Sequence, residues 1–419
     1  MRAGSGTHVQ TTDLEQVQAA LAADPHNAIV QLVPLQATAQ PTGPLGGMPV
    51  AVKDLIDVAG LPTRCGSAVL ADAAPARADA AVVARLRAAG AVVVAKTHTH
   101  EFAYGPTGDV AAEGPCHNPH DPERITGGSS SGSAAAVAAG LVPLALGTDT
   151  GCSARTPAAL CGVVGLKPAL ATLPTTGVFP LSETCDHVGL LGADVGTVAL
   201  AFGALSGRRI DPSAPVRGAV IARATDPYWR VHDPEIATGV DRAAAALAAA
   251  GATLRELELP GIDELAATYP VIVGSEAYAT HARWLAQRPG DYQPATATRL
   301  HAAAAITAAD YVTAQRTRRR LTGELTARML AMQIDLLLLP TTPLRATPIG
   351  AEVVDAPDGS RVAVRPALLS LTLPFNLLGW PAVSVPAPGV PGLPAGVQVV
   401  AVRGGEQSAL AAAARIAAG

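Results

Sequence analysis

The chain has 419 residues, of which 49% are hydrophobic and 15% charged, so it is not a disordered chain and has ample material for a large core. Aromatic residues make up only 3%, so the core must be aliphatic. A formal net charge of -4 excludes a global positive field that would hold the chain on nucleic acid or an anionic membrane, and we expect a small neutral or weakly charged substrate.

The cellular compartment is inferred from the start of the chain and from its cysteines. Residues 1–10 contain no apolar segment typical of an export signal, and no stretch approaches the roughly 18 apolar residues that a membrane helix needs. The five cysteines show no paired CxxC spacing, so we expect reduced thiols. The sequence therefore predicts a soluble, cytoplasmic protein.

The first part of the chain alternates helices and strands. Apolar spacing predicts an amphipathic helix over residues 12–23, capped by a side-chain oxygen of its Thr-Thr-Asp start. The next predicted elements, in order, are a strand at 48–52, a helix at 79–89, a strand at 91–95, an alanine-rich helix at 133–139 and a strand at 141–146. Small residues in the alanine-rich segment would allow close helix packing, and the alternation predicts a layered α/β sheet.

The second part places strands on both sides of a long helical segment. We predict, in order, a strand at 217–222, a helix at 234–250, a strand at 252–257, helical structure at 269–332, strands at 335–339, 382–385 and 396–402, and a final helix at 407–417. Nothing resembles a linker or an internal repeat. The sequence therefore predicts one large domain with a specificity insert in its middle third.

Lysine is scarce, because Lys53, Lys96 and Lys167 are the only three in the sequence. Arginine thus supplies nearly all of the positive charge. Unlike arginine, a desolvated lysine can become a neutral base, and Lys53 follows an apolar strand where partial burial is expected. The alternative for Lys53 is a buried ion pair with the adjacent Asp54.

Two glycine-rich turns flank one predicted helix and strand. The first, residues 127–132, reads Gly-Gly-Ser-Ser-Ser-Gly, and the second, residues 147–153, reads Gly-Thr-Asp-Thr-Gly-Cys-Ser. Glycine permits tight turns, and a run of backbone N–H groups at such a turn can stabilise a developing oxyanion. Ser153 lies where that run ends, so the two turns predict one shared pocket.

These motifs resemble those of the amidase signature family. The serine-rich turn and the block at 147–158 match the family's pattern, the separation of Ser129 from Ser153 equals the family's spacing, and residues 47–54 resemble its lysine motif. Further matches lie at 96–105, 161–168, 340–343, 375–382 and 393–398. The match covers nearly the whole chain and is weakest from about 208 to 333.

The resemblance implies an α/β fold of the amidase signature type, with a large mixed β-sheet core covered by helices on both faces. It implies a single domain over 1–419, made of a catalytic core at 46–205, a variable specificity region at 206–333 and a C-terminal return to the core at 334–419. It also implies a small-molecule amide as substrate, no cofactor, no metal, no nucleic-acid or membrane partner, and a homodimer.

The resemblance also assigns roles to residues. Ser153 attacks the amide carbonyl, while Ser129, on a cis peptide bond, relays the proton to neutral Lys53. Backbone N–H groups of the second turn form the oxyanion hole, namely those of Thr150, Gly151, Cys152 and Ser153. Substrate-binding residues are expected in the pocket loop, namely Ala103, Tyr104 and Gly105. The expected reaction is hydrolysis of a carboxylic amide or urea-type C–N bond.

One departure from the family pattern is Cys152, where the family usually has glycine. A side chain there is strained if the backbone needs a positive φ, and it could crowd the oxyanion hole. Two interpretations follow. Cys152 is either a tolerated small residue that trims the pocket, or a sign of altered chemistry that includes a participating thiol. Asp149 and Arg155 are expected to hold the turn rather than to touch substrate.

Other functions stay open at this point. An amide-forming or amide-transferring enzyme would use the same triad, and a catalytically silent member would act as a scaffold. One short segment contains several possible zinc ligands, namely His98, His100, Cys116, His117 and His120. The alternative is that these side chains lie at the surface or line the pocket.

Two further expectations concern the variable region. Glu276, Tyr278 and His281 are expected near the pocket mouth, although no contact is predicted for them. An arginine cluster is expected on a solvated helix face, namely Arg316, Arg318, Arg319 and Arg320. With no long apolar insertion in the sequence, we expect a small polar or aromatic amide as substrate.

Overall fold

The computed structural model describes residues 13–35, 42–402 and 405–419. Its strands are β1 (Ile29–Leu32), β2 (Pro49–Lys53), β3 (Val92–Thr97), β4 (His117–Asn118), β5 (Asp121–Ile125), β6 (Leu144–Thr148), β7 (Val164–Lys167), β8 (Val188–Gly192), β9 (Val220–Ala224), β10 (Thr253–Leu257), β11 (Leu336–Pro340), β12 (Val353–Asp355), β13 (Arg361–Ala363), β14 (Ala382–Pro386) and β15 (Gly396–Ala401).

The helices lie between these strands and after them. They are α1 (Leu14–Ala22), α2 (Ala81–Ala88), α3 (Ser131–Ala138), α4 (Arg155–Cys161), α5 (Val195–Ser206), α6 (Pro234–Ala249), α7 (Ile262–Gln287), α8 (Pro294–Ala303), α9 (Ala308–Ala331), α10 (Val364–Ser370), α11 (Pro374–Leu377) and α12 (Gly405–Ala418). Short 3-10 turns occupy Ala68–Leu70, Glu101–Ala103, Pro227–Trp229 and Pro289–Asp291.

Eleven of the strands form one mixed sheet in the order β1-β3-β2-β6-β8-β7-β14-β15-β11-β9-β10. Two sets within it are parallel, β3-β2-β6 and β11-β9-β10, and the pairs that join them are antiparallel. The strands come from all three predicted segments of the chain. β4 with β5 and β12 with β13 form separate hairpins.

Alternate residues of each central strand face opposite sides of this sheet. Val50 and Val52 of β2 belong to a buried cluster on one face that also contains residues of α2, α5, α6 and α12. On the other face, Ala51 belongs to a cluster with residues of α1, α3 and α4, and Leu337 of β11 belongs to a cluster with residues of α7 and α9. A pleated strand presents its side chains to both faces in turn, and both faces are covered here. The predicted mixed sheet with helices on both faces is confirmed.

Helix α3 lies close to the sheet because its residues and those below it are small. Ala134, Ala135 and Ala136 are fully buried against alanines of β2, β3 and β6. A Cβ atom on Gly132 would collide with the backbone of Ala28 and His98. The close helix packing expected from the alanine-rich segment is confirmed, and it holds the serine turn that precedes α3 against the sheet.

The sequence predicted most of the elements that it singled out. The first helix begins one residue after Asp13, whose side chain accepts the N–H groups of Glu15 and Gln16 at 3.1 and 3.3 Å, as expected for a side-chain cap; Thr11 and Thr12 lie outside the described residues. The helical stretch predicted over 269–332 is three helices, because Pro289 and the Thr307 cap interrupt it. None of the helices in the described part of the chain is long and apolar enough to cross a membrane.

The predicted solvated arginine face is wrong at one position. Arg318 is buried, whereas Arg316, Arg319 and Arg320 are exposed. Arg318 faces inwards on α9, where its Nε donates to the carbonyl of Leu377 at 2.7 Å and its Nη2 to the carbonyl of Thr184 at 2.9 Å. Backbone carbonyls therefore accept hydrogen bonds from this buried guanidinium, as water would at the surface.

We predict that Gly132→Ala lowers the free energy of unfolding by about 1–3 kcal/mol, because the added methyl group overpacks the contact between α3 and the sheet. Urea denaturation followed by circular dichroism measures the change. Gly323→Ala is the matched control, since Gly323 is also helical but exposed with open space around it, and it should be neutral or stabilising by up to about 1 kcal/mol. Equal stabilities of the two variants would contradict the close approach.

Candidate active site

Lys53 and Thr148 meet because they end neighbouring parallel strands, β2 and β6, at the same edge of the sheet. Lys53 is fully buried, and its Nζ donates to Ser129 Oγ at 2.7 Å and to Thr148 Oγ1 at 2.7 Å. The carboxyl ends of parallel strands are a frequent place for ligand sites. Lys53 and Ser129 are therefore brought together as the sequence predicted.

The alternative pairing of Lys53 with Asp54 is wrong. Asp54 forms its ion pair with Lys96, whose Nζ lies 2.7 Å from Asp54 Oδ1. The third lysine, Lys167, donates to the carbonyl of Trp380 at 2.6 Å. All three lysines are fully buried, so lysine serves only the interior of this protein.

Burial changes the proton affinity of Lys53. Desolvation lowers the pKa of its ammonium to about 7, although the negative charge of Asp149 partly opposes the shift. No carboxylate forms an ion pair with Lys53 among the described residues. The amine is therefore half neutral near pH 7, and it contacts a hydroxyl group from which it can accept a proton.

The serine turn joins the two glycine-rich segments through the backbone. The Gly128–Ser129 peptide bond is cis, and the N–H of Ser130 donates to the carbonyl of Ser153 at 3.2 Å. Ser130 Oγ accepts the N–H of Thr148 at 3.2 Å and donates to its carbonyl at 3.1 Å. Both turns therefore face one site, as predicted.

Ser153 is buried at this site with its hydroxyl group turned to a neighbouring thiol. Its Oγ lies 4.0 Å from Cys152 Sγ, which is its sole hydrogen-bond contact among the described residues. No hydrogen bond joins Ser153 Oγ to Ser129 Oγ in this arrangement of the described chain. The structure thus brings Lys53 and Ser129 into direct contact and places Ser153 beside them without a bonded link.

The turn from Thr150 to Ser153 presents backbone donors. In the described part of the chain, the N–H groups of these four residues have no hydrogen-bond acceptor. The turn itself is held from outside, because Thr150 Oγ1 donates to Asp186 Oδ1 at 2.6 Å. Burial raises the pKa of Asp186 to about 6. Successive N–H groups free of partners are suited to bind a negatively charged oxygen.

A buried ion pair supports the same turn from below. Arg155 Nη2 lies 2.9 Å from Asp149 Oδ1, and Arg155 Nε donates to Asp149 Oδ2 at 3.0 Å. Asn376 Nδ2 donates to Asp149 Oδ1 at 2.8 Å. Burial by itself would raise the pKa of Asp149, but the Arg155 guanidinium outweighs it and holds that pKa well below its usual range. Both residues hold the turn, in agreement with the sequence interpretation.

Cys152 fits the turn without the strain that its position suggested. It is not among the residues with a positive φ, and its buried thiol donates to the carbonyl of Gly128 at 3.5 Å. Burial raises the pKa of the Cys152 thiol to about 12, with the charge of Asp149 adding to the shift. The thiol is therefore protonated at neutral pH, and a thiol without thiolate character is a poor nucleophile.

A cavity of about 450 Å³ adjoins this turn. Its walls come mainly from α7, α8 and α10, and they include Tyr104, Tyr228, Tyr269, Val273, Arg299, Ile306, Arg365 and Leu369. A Cβ atom on Gly151 would collide with Tyr269 Oη and lie 3.1 Å from Leu369 Cδ2, so the cavity wall touches the turn.

Of the predicted pocket-loop residues, only Tyr104 lines this cavity. Ala103 is buried behind it with a positive φ of 59°, and Gly105 packs against His100 and Gly128. Glu276, Tyr278 and His281 do not line the cavity either. Glu276 instead accepts the hydroxyl groups of Ser182, Thr184 and Tyr311, and His281 packs against Phe102.

The histidines of the possible zinc segment have separate partners. His98 bonds to Ser131 Oγ at 2.7 Å, His117 to the carbonyl of Pro122 at 2.7 Å, and His120 to the carbonyl of Cys161 at 3.0 Å. Within residues 13–35, 42–402 and 405–419, no three His, Cys, Asp or Glu side chains are grouped to hold a metal ion.

Sequence reasoning missed several residues of the site. Thr148 was visible as part of the second turn, but its contact with Lys53 requires the strand pairing of β2 with β6. Asp186, Arg299 and Arg365 carry no motif that would have marked them. They reach the site through the packing of segments that are distant in sequence.

We predict that Arg155→Met lowers the free energy of unfolding by about 3–5 kcal/mol, because Asp149 would keep a buried charge without its partner. Urea denaturation measures the loss. Arg320→Met removes surface ion pairs with Glu264 and Glu324 and should change stability by at most about 1 kcal/mol. Similar losses in both variants would show that the Asp149 turn does not depend on Arg155.

Comparisons with known proteins agree with this fold. The sequence profile of the family described as Amidase matches residues 11–410. The chain is 40% identical to AtzE of Pseudomonas sp. (strain ADP), which is a subunit of 1-carboxybiuret hydrolase, over 88% of this chain and 83% of that protein. It is 38% identical to a subunit of the glutamyl-tRNA(Gln) amidotransferase of Symbiobacterium thermophilum, over 85% of this chain and 80% of that protein.

A solved structure also resembles this chain in sequence and fold. The crystal structure of an amidase superposes with a TM-score of 0.87 at 36% identity, covering 97% of this chain and 95% of that one. Family profile, relatives and structure each extend over most of the chain. The chain is therefore an enzyme of the amidase signature family.

Proposed function

We propose that this enzyme hydrolyses a carboxylic amide or urea-type C–N bond through an acyl-enzyme on Ser153. The observation that carries the proposal is the buried contact of Lys53 Nζ with Ser129 Oγ, next to the turn that ends at Ser153. A lysine with a pKa of about 7 can act as a general base at neutral pH. A hydroxyl group is a weak nucleophile until such a base removes its proton.

In the proposed first half-reaction, Ser153 Oγ attacks the carbonyl carbon and its proton passes through Ser129 Oγ to the neutral amine of Lys53. A rotation of the Ser153 side chain from Cys152 towards Ser129 is required, and the bond between the Ser130 N–H and the Ser153 carbonyl keeps the two turns adjacent. The negative oxygen is stabilised by the free N–H groups of residues 150–153. The proton on Lys53 then returns through Ser129 to the leaving nitrogen as the C–N bond breaks.

In the proposed second half-reaction, water attacks the ester carbonyl of the acyl-enzyme and gives a proton through Ser129 to Lys53. The same N–H groups stabilise the second tetrahedral intermediate. When it collapses, the C–O bond to Ser153 breaks, the proton returns to Ser153 Oγ, and the carboxylic acid leaves. Neither half-reaction uses a metal or a cofactor.

The relatives are named for both hydrolysis and transfer, and transfer to an amine or ammonia is therefore the main alternative to hydrolysis. One relative is named as a subunit of a hydrolase, and another as a subunit of an amidotransferase. We propose water as the acceptor, in line with the relative that is named as a subunit of a hydrolase. Product analysis with added amine distinguishes transfer from hydrolysis.

Three further expectations stay proposals. The segment 206–333 is proposed as the specificity region of a single domain, which is supported by the α7 and α8 residues in the cavity wall. The five reduced cysteines support a cytoplasmic location. A homodimer is expected from the family resemblance.

We predict that a fluorophosphonate labels Ser153 and that Lys53→Met slows the labelling at least about 100-fold, because the base is lost. Mass spectrometry of the digested protein identifies the modified residue. Lys167→Met is the matched control, as Lys167 is equally buried but contacts neither serine, and it should keep labelling within a few-fold. Modification of Cys152, or no labelling of a folded protein, would refute the assignment.

The labelling rate should also depend on pH through the state of Lys53. With a pKa of about 7, the neutral fraction rises from about one tenth at pH 6 to about nine tenths at pH 8. Labelling of Ser153 should therefore rise about tenfold between these values and level off above pH 8. A rate that falls with pH, or the same rise in Lys53→Met, would contradict Lys53 as the base.

A further inference from the structure

Two arginines face the cavity next to the proposed nucleophile without any acidic partner among the described residues. Arg299 extends from α8 and Arg365 from α10, and both line the cavity while partly buried. The Nε and Nη2 atoms of Arg299 and the Nε atom of Arg365 are buried without a hydrogen-bond partner in the described residues. Neither side chain forms an ion pair with a carboxylate of the described chain. Cations without an ion-pair partner and with unsatisfied donors are costly to place in a mainly apolar cavity.

The buried arginines of the described chain, by contrast, have hydrogen-bond partners. Arg155 is paired with Asp149, and Arg318 donates to backbone carbonyls. Arg299 and Arg365 differ, because each also repels the other. Burial, followed by the charge of Arg365, lowers the pKa of Arg299 to about 10, which leaves it charged at neutral pH. The cavity therefore carries two positive charges.

The charge of Glu101 favours the charged form of Arg299, but the two described side chains form no ion pair. Glu101 Oε1 accepts the hydroxyl group of Ser67 at 2.6 Å, and its Oε2 accepts the N–H of Gln293 at 2.9 Å. Burial also raises the pKa of the Glu101 carboxyl. The aromatic ring of Tyr104, 5.3 Å from the Arg299 guanidinium, is a favourable partner of Arg299 in the cavity wall, but it carries no charge.

The position of the two charges connects them to the reaction site. Tyr269 and Leu369 line the same cavity and pack against Gly151, whose N–H belongs to the proposed oxyanion turn. A molecule in the cavity with one end at this turn would have its other end facing the walls that carry the arginines. The volume of about 450 Å³ suits a small molecule of this kind.

We propose that Arg299 and Arg365 bind a carboxylate of the substrate, so that this enzyme acts on a small amide that also carries a carboxylate group. The guanidinium fork matches a carboxylate with two parallel hydrogen bonds, and the two arginines provide the donors that now have no acceptor in the described chain. This inference rests on the proposed hydrolysis at Ser153. It refines the expectation of a neutral or weakly charged substrate.

Binding to a Ser153→Ala background tests the site without turnover. The probes are malonamate, succinamate and glutaramate, each compared by isothermal titration calorimetry with its uncharged diamide, which has nearly the same shape. We expect at least one acid to bind about 10-fold or more tightly than its diamide. Arg299→Gln and Arg365→Gln, each added to this background, should reduce that preference about 10- to 100-fold.

Control variants separate lost charge from lost structure. Arg299→Lys keeps a cation and should keep part of the preference. Arg319→Gln removes an exposed arginine of α9 away from the cavity and should leave the preference intact. Circular dichroism confirms that each variant is folded. Equal binding of acid and diamide in all three pairs, or a preference that survives both glutamine variants, would overturn the carboxylate site.

Ammonia release by the enzyme with an intact Ser153 distinguishes the two proposals. Cleavage of the preferred acid, with kcat/KM reduced in both glutamine variants while fluorophosphonate still labels Ser153, supports both. Binding of the acid without labelling or cleavage would refute the hydrolase proposal and keep the carboxylate site. Labelling and cleavage without any preference for the acid would refute the carboxylate site alone.

Discussion

The burial of the Lys53 ammonium at the end of β2 is the constraint on which the site depends. In water this amine would be charged throughout the neutral range, and it could accept no proton. Removing it from water lowers its pKa to about 7, and the parallel pairing of β2 with β6 places it between Thr148 and Ser129. The close packing of α3 on alanines of the sheet then keeps the serine turn above the lysine.

The turn at residues 150–153 has a different requirement, because its backbone N–H groups must be left without acceptors if they are to bind the oxyanion. Asp149 binds Arg155 and Asn376 beneath the turn, and the N–H groups of residues 150–153 have no acceptor in the described part of the chain. Cys152 is accommodated because the turn does not use a positive φ at that position. A buried ion pair thus fixes the shape of the turn, and burial keeps the neighbouring thiol protonated.

The sequence predicted these parts unevenly, for physical reasons. Lys53, Ser129 and the 150–153 turn lie in short motifs whose chemistry is local, and the alternation of helices and strands predicted the layered sheet. Arg318 was misplaced because residue type alone did not show which side of α9 faces the core. Arg299 and Arg365 could not be found at all, since their shared cavity exists only once α7, α8 and α10 pack around it.

All three lysines of the sequence lie in the interior. The folded protein consequently offers no lysine amine to solvent. Reagents that acylate amines, whether cross-linkers, affinity tags or acetyl donors, would find a lysine only after the sheet has opened. Lysine acylation would thus report unfolding in this protein, since Lys53, Lys96 and Lys167 are distributed along β2, β3 and β7.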